Sequence, residues 1–180
     1  MDTLNFRPLE REDVKPLQRL FMESLSDLIR REQFEDADLL DEEVARLNTT
    51  VQDSLDDDTV QLFVVERDRM IVGTVAILPP NEIITAHLDI EPNVPEVGCI
   101  YVIPNAQRQG VGQFLLEHVM AELVNRGQSA FYLDAGFPTA QAYWEKRIGA
   151  PILTIDHYWG PGASHKIWRC EVTQYKTRPG

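Results

Sequence analysis

The stretch VGCIYVIPNAQRQGVG, residues 97–112, decides the fold. Its first half, Val97 to Ile103, is an apolar run rich in β-branched residues, which is typical of a buried strand. Its second half ends in a glycine-rich turn that opens a helix, predicted from about Gly110 to Arg126. Such a turn leaves backbone N–H groups unpaired at the helix N-terminus. The sequence therefore predicts an anion site at this point of the chain.

The turn supplies both charge and space for an anion. Arg108 adds a full positive charge beside the positive end of the helix dipole, so a phosphate or pyrophosphate is the expected ligand. A purely structural turn is the alternative, because short glycine motifs are weak evidence on their own. This segment, the glycine turn, consists of Gln107, Arg108, Gln109, Gly110, Val111 and Gly112.

Upstream of this stretch, the sequence predicts a strand, two helices and a strand pair. Leu4 to Pro8 has the composition of a strand, and apolar residues then recur at helical spacing from Val14 to Leu28 and from Leu40 to Leu55. The β-branched runs Thr59 to Glu66 and Ile71 to Leu78 predict an antiparallel hairpin.

The remaining segments are a long connection and four short elements. Residues 81–95 are predicted to be mostly loop. A strand at Ala130 to Ala135 and a helix at about Ala140 to Arg147 come next, then a terminal hairpin of Ile152 to Tyr158 with Lys166 to Val172. Together these elements predict an α/β fold with a mixed sheet, in which only the strands before and after the central helix are parallel.

These motifs together resemble a known family. The strand ending in Val102-Ile103-Pro104, the Q-x-x-G-x-G turn and the helix start at Phe114 resemble the coenzyme-A-binding motif of the GNAT family of N-acetyltransferases. Phe6 to Leu9 is similar to the family's opening strand, and Ala140 to Gly149 resembles its last helix. The resemblance covers almost the whole chain.

The resemblance implies a fold, a domain layout and a co-substrate. The implied fold is a mixed, mostly antiparallel sheet with one parallel strand pair at the cofactor cleft and helices on both faces, formed as one domain by residues 1–180. Acetyl-CoA (coenzyme A) is the implied co-substrate, with its pyrophosphate on the glycine turn. Its pantetheine is expected to pair, like an added strand, with the backbone of Ile100, Tyr101, Val102 and Ile103.

The resemblance also implies a base and an acid, since the family usually uses a carboxylate and a tyrosine for direct attack in a ternary complex. The family's glutamate position is Gly98 here. Glu96, two residues earlier on the same strand face, is the candidate base, with a solvated strand-start residue as the alternative. Trp144 stands at the family's tyrosine position, so its neighbour Tyr143 is the candidate acid. Because of these two departures, the alternative function is a non-catalytic acyl-CoA-binding module.

The charge distribution limits the class of partner. The chain has 17 basic and 29 acidic residues, a net charge of −12, and so lacks the basic footprint that nucleic acid requires. Residues 35–58 hold ten acids and a single base. This segment is either an ordinary solvated helix face or a surface that attracts a cationic amine. The predicted acceptor is the primary amine of a small molecule, cationic in the second case.

Other segments lead to further expectations. No stretch approaches the roughly 20 apolar residues of a membrane span, and the N-terminus lacks a signal-peptide pattern, so a cytoplasmic protein without a membrane partner is predicted. No histidine pair has metal-ligand spacing, so no metal is predicted.

Cys99 and Cys170 are expected to be unpaired and buried. The aromatic residues around the turn at residues 160–162 predict either a wall of the acceptor pocket or a homodimer contact.

Three polar residues have open interpretations. Asp134, at a strand end, is either a cleft carboxylate or a turn residue; with the glycines before it, it partly imitates a dinucleotide-binding pattern, but Leu115 replaces the third glycine. His118 is expected to be a packing residue on the central helix. His165, like His87 and His157, is in or near a segment that is able to line the acceptor side.

Overall fold

The structure, a computed structural model, describes residues 3–173. Contacts within the chain divide it into two compact units. The first unit comprises Met1–Leu78 and Cys99–Val119, and the second comprises Pro79–Gly98 and Met120–Gly180. The sequence-based expectation of one domain over residues 1–180 stays a prediction.

The described residues form seven strands and five α-helices. In chain order these are β1 (Asn5–Pro8), α1 (Val14–Glu32), α2 (Leu39–Asp56), β2 (Gln61–Arg67), β3 (Met70–Leu78), α3 (Glu82–His87), β4 (Glu96–Val102), α4 (Val111–Asn125), β5 (Ala130–Ala135), α5 (Pro138–Arg147), β6 (Leu153–Ile155) and β7 (His165–Glu171). Strand β4 and helix α4 each contribute residues to both units.

In the first unit, β1, β2 and β3 are antiparallel neighbours. The turn between β2 and β3 is Asp68-Arg69, with φ angles of 50° and 66°. Two consecutive positive φ angles define the hairpin turn whose twist matches that of paired strands. Strand β3 also bonds to the end of β4, where the Ile103 N–H donates to the Val72 carbonyl at 3.0 Å. The predicted hairpin is therefore confirmed.

The two long helices of the first unit form because each has an apolar stripe to bury. Helix α1 buries Leu17, Phe21 and Leu25, which are spaced four residues apart and fully inaccessible. Helix α2 buries Leu47 and Val51 in the same spacing. Burying a leucine or phenylalanine side chain contributes about 1.5–3 kcal/mol, so these stripes fix which helix faces turn inward.

In the second unit, β4 and β5 are parallel, with Glu96 opposite Tyr132. Strand β7 pairs antiparallel with both β5 and β6. The chain therefore has the predicted mixed, mostly antiparallel sheet with one parallel pair. A doubly wound dinucleotide-binding fold, whose strands are mainly parallel, is excluded.

Residues 81–95 are mostly loop, as predicted, but they also contain the six-residue helix α3, which the sequence pattern does not predict. The side chain of Asn81 caps α3 by accepting hydrogen bonds from the N–H groups of Ile83 and Ile84, at 2.9 and 3.1 Å. Ile84 is fully buried and packs with Tyr132 of β5 and Ile167 of β7. A helix of six residues is too short to show periodicity in the sequence, and a cap with one buried anchor holds it in place.

The first strand of the terminal hairpin is shorter than predicted. Strand β6 ends at Ile155, because the chain turns at residues 156–159 with a positive φ of 57° at His157. The Nδ1 atom of His157 accepts a hydrogen bond from the Gly162 N–H at 2.8 Å, which closes this turn. The predicted strand to Tyr158 is therefore wrong beyond residue 155.

Helix α4 ends where the sequence predicts it to end. Gly127 has a φ of 72°, its N–H donates to Val124, and the Gln128 N–H donates to Leu123, each at 2.9 Å. These two bonds are the Schellman motif, which satisfies the last carbonyls of a helix and needs a left-handed residue. A Cβ atom added at Gly127 meets no atom within 4 Å. A side chain here is therefore strained by the backbone and not by a clash.

An ion-pair cluster in the first unit predicts a pH-dependent stability. The Arg7 guanidinium donates to both carboxylate oxygens of Asp13, at 2.7 and 2.9 Å, and to Glu66 at 2.5 Å. Burial acts to raise the pKa of Asp13, but the hydrogen bonds from Arg7 and from the Glu10 N–H outweigh it and lower that pKa. The bond from Arg7 also lowers the pKa of Glu66. Carboxyl pKa values below the ordinary range stabilise the fold above about pH 4 and stop doing so as the pH falls through the lowered values.

We therefore expect Arg7→Gln to reduce the free energy of unfolding by about 1.5–3 kcal/mol at pH 7, and by much less at pH 2.5. Urea unfolding at the two pH values measures this difference. Arg19→Gln is the matched control, because Arg19 forms an exposed helical pair with Glu23 and should change stability little at either pH. An equal loss at both pH values for Arg7→Gln would show that packing, and not charge, gives the cluster its effect.

Candidate functional site

The glycine turn is braced by side chains of the first unit. Gln107 Nε2 donates to the Val102 carbonyl at 3.0 Å, and Gln109 Nε2 donates to the Asn105 carbonyl at 2.7 Å. Gln109 also accepts a hydrogen bond from Arg67 Nη1 at 2.5 Å. The two glutamines of the motif thus hold the backbone of the turn. The bond from Arg67 places its guanidinium against Gln109, the residue that follows Arg108.

The backbone of the turn fits an anionic ligand. Arg108 and Gly110 have φ angles of 59° and 83°. The first bond of α4 runs from the Phe114 N–H to the Gly110 carbonyl at 3.0 Å, so the N–H groups of Val111 and Gly112 precede the helical ladder. A Cβ atom added at Gly110 meets no atom within 4 Å, so the space over the turn is open. Amide donors, a helix dipole and a nearby guanidinium facing open space are what a phosphate group requires.

The strand that leads into the turn has an irregular backbone. Cys99, in the middle of β4, has a φ of 51°, which a residue with a Cβ atom adopts only at a cost of about 1–3 kcal/mol. The Thr74 hydroxyl donates to the Cys99 carbonyl at 2.7 Å and holds this conformation. The Tyr101 ring packs edge-on against Phe21 at 5.7 Å, and burial raises the pKa of its hydroxyl. The Tyr101 side chain is thus packed against the protein interior.

Glu96 is the first residue of β4 and lies in the second unit. It is only 5 % exposed, so the interpretation of Glu96 as a solvated strand-start residue is wrong. Its Oε2 atom accepts a hydrogen bond from the backbone N–H of Asn81 at 2.8 Å, and its Oε1 atom accepts one from Asn81 Nδ2 at 3.2 Å. Burial with two N–H donors defines a carboxylate of fixed orientation.

A second carboxylate is part of the same network. Asp134 Oδ2 accepts a hydrogen bond from Asn81 Nδ2 at 2.8 Å and forms another with His165 Nε2 at 2.9 Å. The indole N–H of Trp159 donates to His165 Nδ1 at 3.1 Å. An indole N–H only donates, so Nδ1 of His165 is an acceptor and its proton is on Nε2, facing Asp134. Asp134 lies within β5 and takes part in a carboxylate network; its interpretation as a cleft carboxylate stays a prediction.

Tyr143 and Trp144 have opposite environments on α5. Trp144 is 6 % exposed, whereas Tyr143 is 37 % exposed. The Tyr143 ring packs edge-on against Trp144 at 4.9 Å and lies 5.0 Å from the Arg147 guanidinium. Partial burial raises the pKa of Tyr143, an effect that Arg147 opposes. Tyr143 is thus a phenol that keeps its proton at neutral pH.

His118 and the two cysteines, the remaining candidates from the sequence, have the surroundings of residues that support the fold. His118 stacks on Phe114 at 3.9 Å and bonds to its carbonyl, as expected of a packing residue. Neither Cys99 nor Cys170 forms a disulfide bond, as predicted; Cys170 is buried as expected, whereas Cys99 is only partly buried. Burial raises the pKa of Cys170 to about 12. Within residues 3–173, no group of three or more metal-binding side chains is clustered, and no helix is long and apolar enough to cross a membrane.

Sequence reasoning named Glu96, Asp134 and His165 separately but not the residue that joins them. Asn81 was missed, although its position after two prolines and before an apolar pair is a signal for a helix cap. The structure brings Glu96, Asp134 and His165 into one network through this residue. Tyr143 contacts Trp144 and Arg147 instead.

Comparison with known proteins gives one family. The model of the acetyltransferase (GNAT) family matches residues 19–150. No curated protein is similar enough in sequence to be a significant match.

Solved structures with the same fold have low sequence identity to this chain. A putative acetyltransferase of the GNAT family from Desulfovibrio desulfuricans has a TM-score of 0.72 at 18 % identity, over 94 % of this chain and 99 % of that one. The PaiA N-acetyltransferase of Thermoplasma acidophilum, in complex with coenzyme A, has a TM-score of 0.68 at 13 % identity, over 94 % and 99 %. The spermidine/spermine N-acetyltransferase SpeG of Vibrio cholerae has a TM-score of 0.60 at 19 % identity, over 98 % and 97 %.

Proposed function

The chain belongs to the acetyltransferase (GNAT) family, and from this premise we propose that it transfers the acetyl group of acetyl-CoA to the primary amine of a small acceptor. The observation that carries the proposal is the glycine turn at the start of α4, with its open backbone at Gly110. Coenzyme A in the structure of the PaiA N-acetyltransferase supports the same class of donor.

The proposed donor site lies in the first unit. The N–H groups at the start of α4 and the Arg108 guanidinium bind the pyrophosphate, while the glutamines of the turn hold its backbone. The backbone of residues 100–103 pairs with the pantetheine through the groups that β3 leaves available, since the Ile103 N–H already donates to the Val72 carbonyl. Packing of the Tyr101 ring against Phe21 supports this assignment, because it leaves the main chain as the part of that residue that binds a ligand.

The proposed chemistry is a direct attack in a ternary complex. The acceptor arrives as an ammonium ion, and Glu96 takes one of its protons, through a water molecule or directly. The amine nitrogen then forms a bond to the acetyl carbonyl carbon, the carbon–sulfur bond breaks, and the leaving thiolate takes a proton from Tyr143. The second proton that the nitrogen loses as the amide forms returns to the Tyr143 phenolate through solvent, so that only the proton on Glu96 is released in the net reaction. The phenol of Tyr143 carries its proton at neutral pH, which supports its role as the acid, although burial, by raising its pKa, makes it a weaker one.

The acidic segment supports a cationic acceptor. Most of residues 35–58 lie on α2 or next to it, and their single base, Arg46, is paired with Glu43 at 2.7 Å. Unpaired carboxylates on this surface raise the local concentration of a cation. Spermidine and spermine are the acceptors named for the SpeG protein, which has the same fold.

The alternative function is a non-catalytic acyl-CoA-binding module, favoured by Gly98 and Trp144 at the family's usual base and acid positions. Release of free thiol from acetyl-CoA, measured against a panel of amines, separates the two functions. We expect turnover that requires an amine, an acetylated product by mass spectrometry, and a lower KM for a polyamine than for a neutral-chain amine of equal length. Binding of acetyl-CoA without turnover across the panel would instead establish the binding module.

A further inference from the structure

We propose that Asn81 is the positioning residue of this site: its amide aims the carboxylate of Glu96 and couples it to the Asp134–His165 pair. The inference rests on the proposed role of Glu96 as the base. It adds a residue outside the glycine turn and outside β4.

Asn81 uses every polar group that its side chain has. Its Oδ1 atom accepts the N–H groups of Ile83 and Ile84, and its Nδ2 atom donates to Glu96 and to Asp134. Its backbone N–H donates to Glu96 as well. The two oxygens of Glu96 are therefore held by two donors of one residue, which fixes both the position of the carboxylate and its rotation.

The helix cap explains why Asn81 itself cannot rotate. The two bonds to Oδ1 set the plane of the amide, so Nδ2 has to point toward the carboxylates. Helix α3 is anchored by Ile84, which is fully buried against Tyr132 and Ile167. Tyr132 lies opposite Glu96 in the sheet. The anchor of the cap and the carboxylate that it holds are therefore supported by the same strand.

The direction of the hydrogen bonds shows where a proton is able to go. The indole of Trp159 donates to His165, His165 donates to Asp134, and Asn81 donates to both carboxylates. All of these donors are neutral, and an amide has no site that takes up a proton at neutral pH. The Nδ1 atom of His165 is occupied by the indole N–H of Trp159, so a proton that enters the network from an ammonium substrate goes to a carboxylate. Asn81 therefore leaves Glu96 and Asp134 as acceptors and fixes the distance between them.

The two roles of Asn81, cap and donor, are separable by an isosteric change. Aspartate caps a helix as well as asparagine does, but it donates no hydrogen bond and brings a negative charge toward two carboxylates. Serine also caps, and it brings no charge. A residue that acts only as a cap tolerates the change to serine, whereas a residue that positions Glu96 tolerates neither change.

We expect Asn81→Asp to lower kcat at least 30-fold and to move the rise of kcat with pH to higher pH, because a nearby negative charge favours the protonated base. Asn81→Ser should lower kcat at least fivefold without that pH shift. The KM for acetyl-CoA should stay within about twofold in both variants. Glu82→Gln, an exposed change in the first turn of α3, is the control and should leave kcat within about twofold.

A paired variant separates positioning from folding. In Asn81→Asp with Glu96→Gln, donor and acceptor are exchanged, so the pair is able to bond again. Its Tm should return toward that of the wild type, while its kcat stays as low as that of Glu96→Gln. If Glu96→Gln is impaired but Asn81→Asp and Asn81→Ser keep the wild-type kcat and pH profile, the positioning role is wrong and the base assignment stands. A wild-type kcat for Glu96→Gln itself would overturn both.

Discussion

Glu96→Gln is expected to lower kcat for amine acetylation by about 10²–10⁴-fold, the usual contribution of a general base. The substitution keeps the volume of the side chain and one of its two acceptor oxygens. Its new amide nitrogen has to face one of the two donors of Asn81, so some loss of Tm accompanies the loss of rate. The dissociation constant of acetyl-CoA, measured by calorimetry, should not change, because the proposed donor contacts begin at residue 100.

The pH dependence distinguishes a missing base from a damaged fold. Without a base, the reaction depends on acceptor molecules that are already deprotonated, so the residual kcat of Glu96→Gln should keep rising toward the pKa of the amine. Glu91→Gln is the control: Glu91 is an acid of the same unit that pairs with Arg169 at the surface, and kcat should stay within about twofold. A loss below tenfold for Glu96→Gln would place the base at another residue.

Gly110→Val is expected to weaken acetyl-CoA binding by about 10- to 100-fold, a change that calorimetry measures directly. A β-branched residue at a φ of 83° is strained, and its relaxation moves the N–H groups at the start of α4. No protein atom lies within 4 Å of the added Cβ, so the side chain projects into the space that a phosphate has to enter. Strain and steric block therefore act in the same direction.

Gly127→Val is the matched control for this prediction. Gly127 has a φ of 72°, and a Cβ atom there also meets open space, but it lies at the opposite end of α4. The two substitutions should lower the Tm by similar amounts, while only Gly110→Val changes the affinity for acetyl-CoA. Equal affinities in the two variants would remove the glycine turn from the donor site.

The parts of the fold that the sequence predicts well are those determined by neighbouring residues. Helices α1 and α2 are predicted by apolar residues at every third or fourth position. The glycine turn is predicted by its glycines, because a sharp backbone turn favours residues without a Cβ atom. The turn between β2 and β3 follows from a short polar break between two β-branched runs. Each of these features can be read within a window of about 20 residues.

The parts that it misses depend on contacts between distant segments. Helix α3 has one buried anchor, Ile84, whose partners are 48 or more residues away in the sequence. Buried Glu96 is hydrogen-bonded by Asn81, which is 15 residues away in the sequence. Asp134 and His165 are brought within hydrogen-bonding distance by the pairing of β5 with β7. The positive φ of Cys99 has no local signal either, because it is a residue that ordinarily avoids this conformation.

Every polar group of the Asn81 side chain is hydrogen-bonded, and this has an evolutionary consequence. A residue that caps a helix and donates to two carboxylates with one amide has no single replacement among the twenty amino acids, since aspartate and serine keep the cap only and glutamine is one methylene too long. Positions 81 and 96 should therefore show strong epistasis. A substitution at one position should be accepted only together with a compensating change at the other, so the pair should be inherited as one unit.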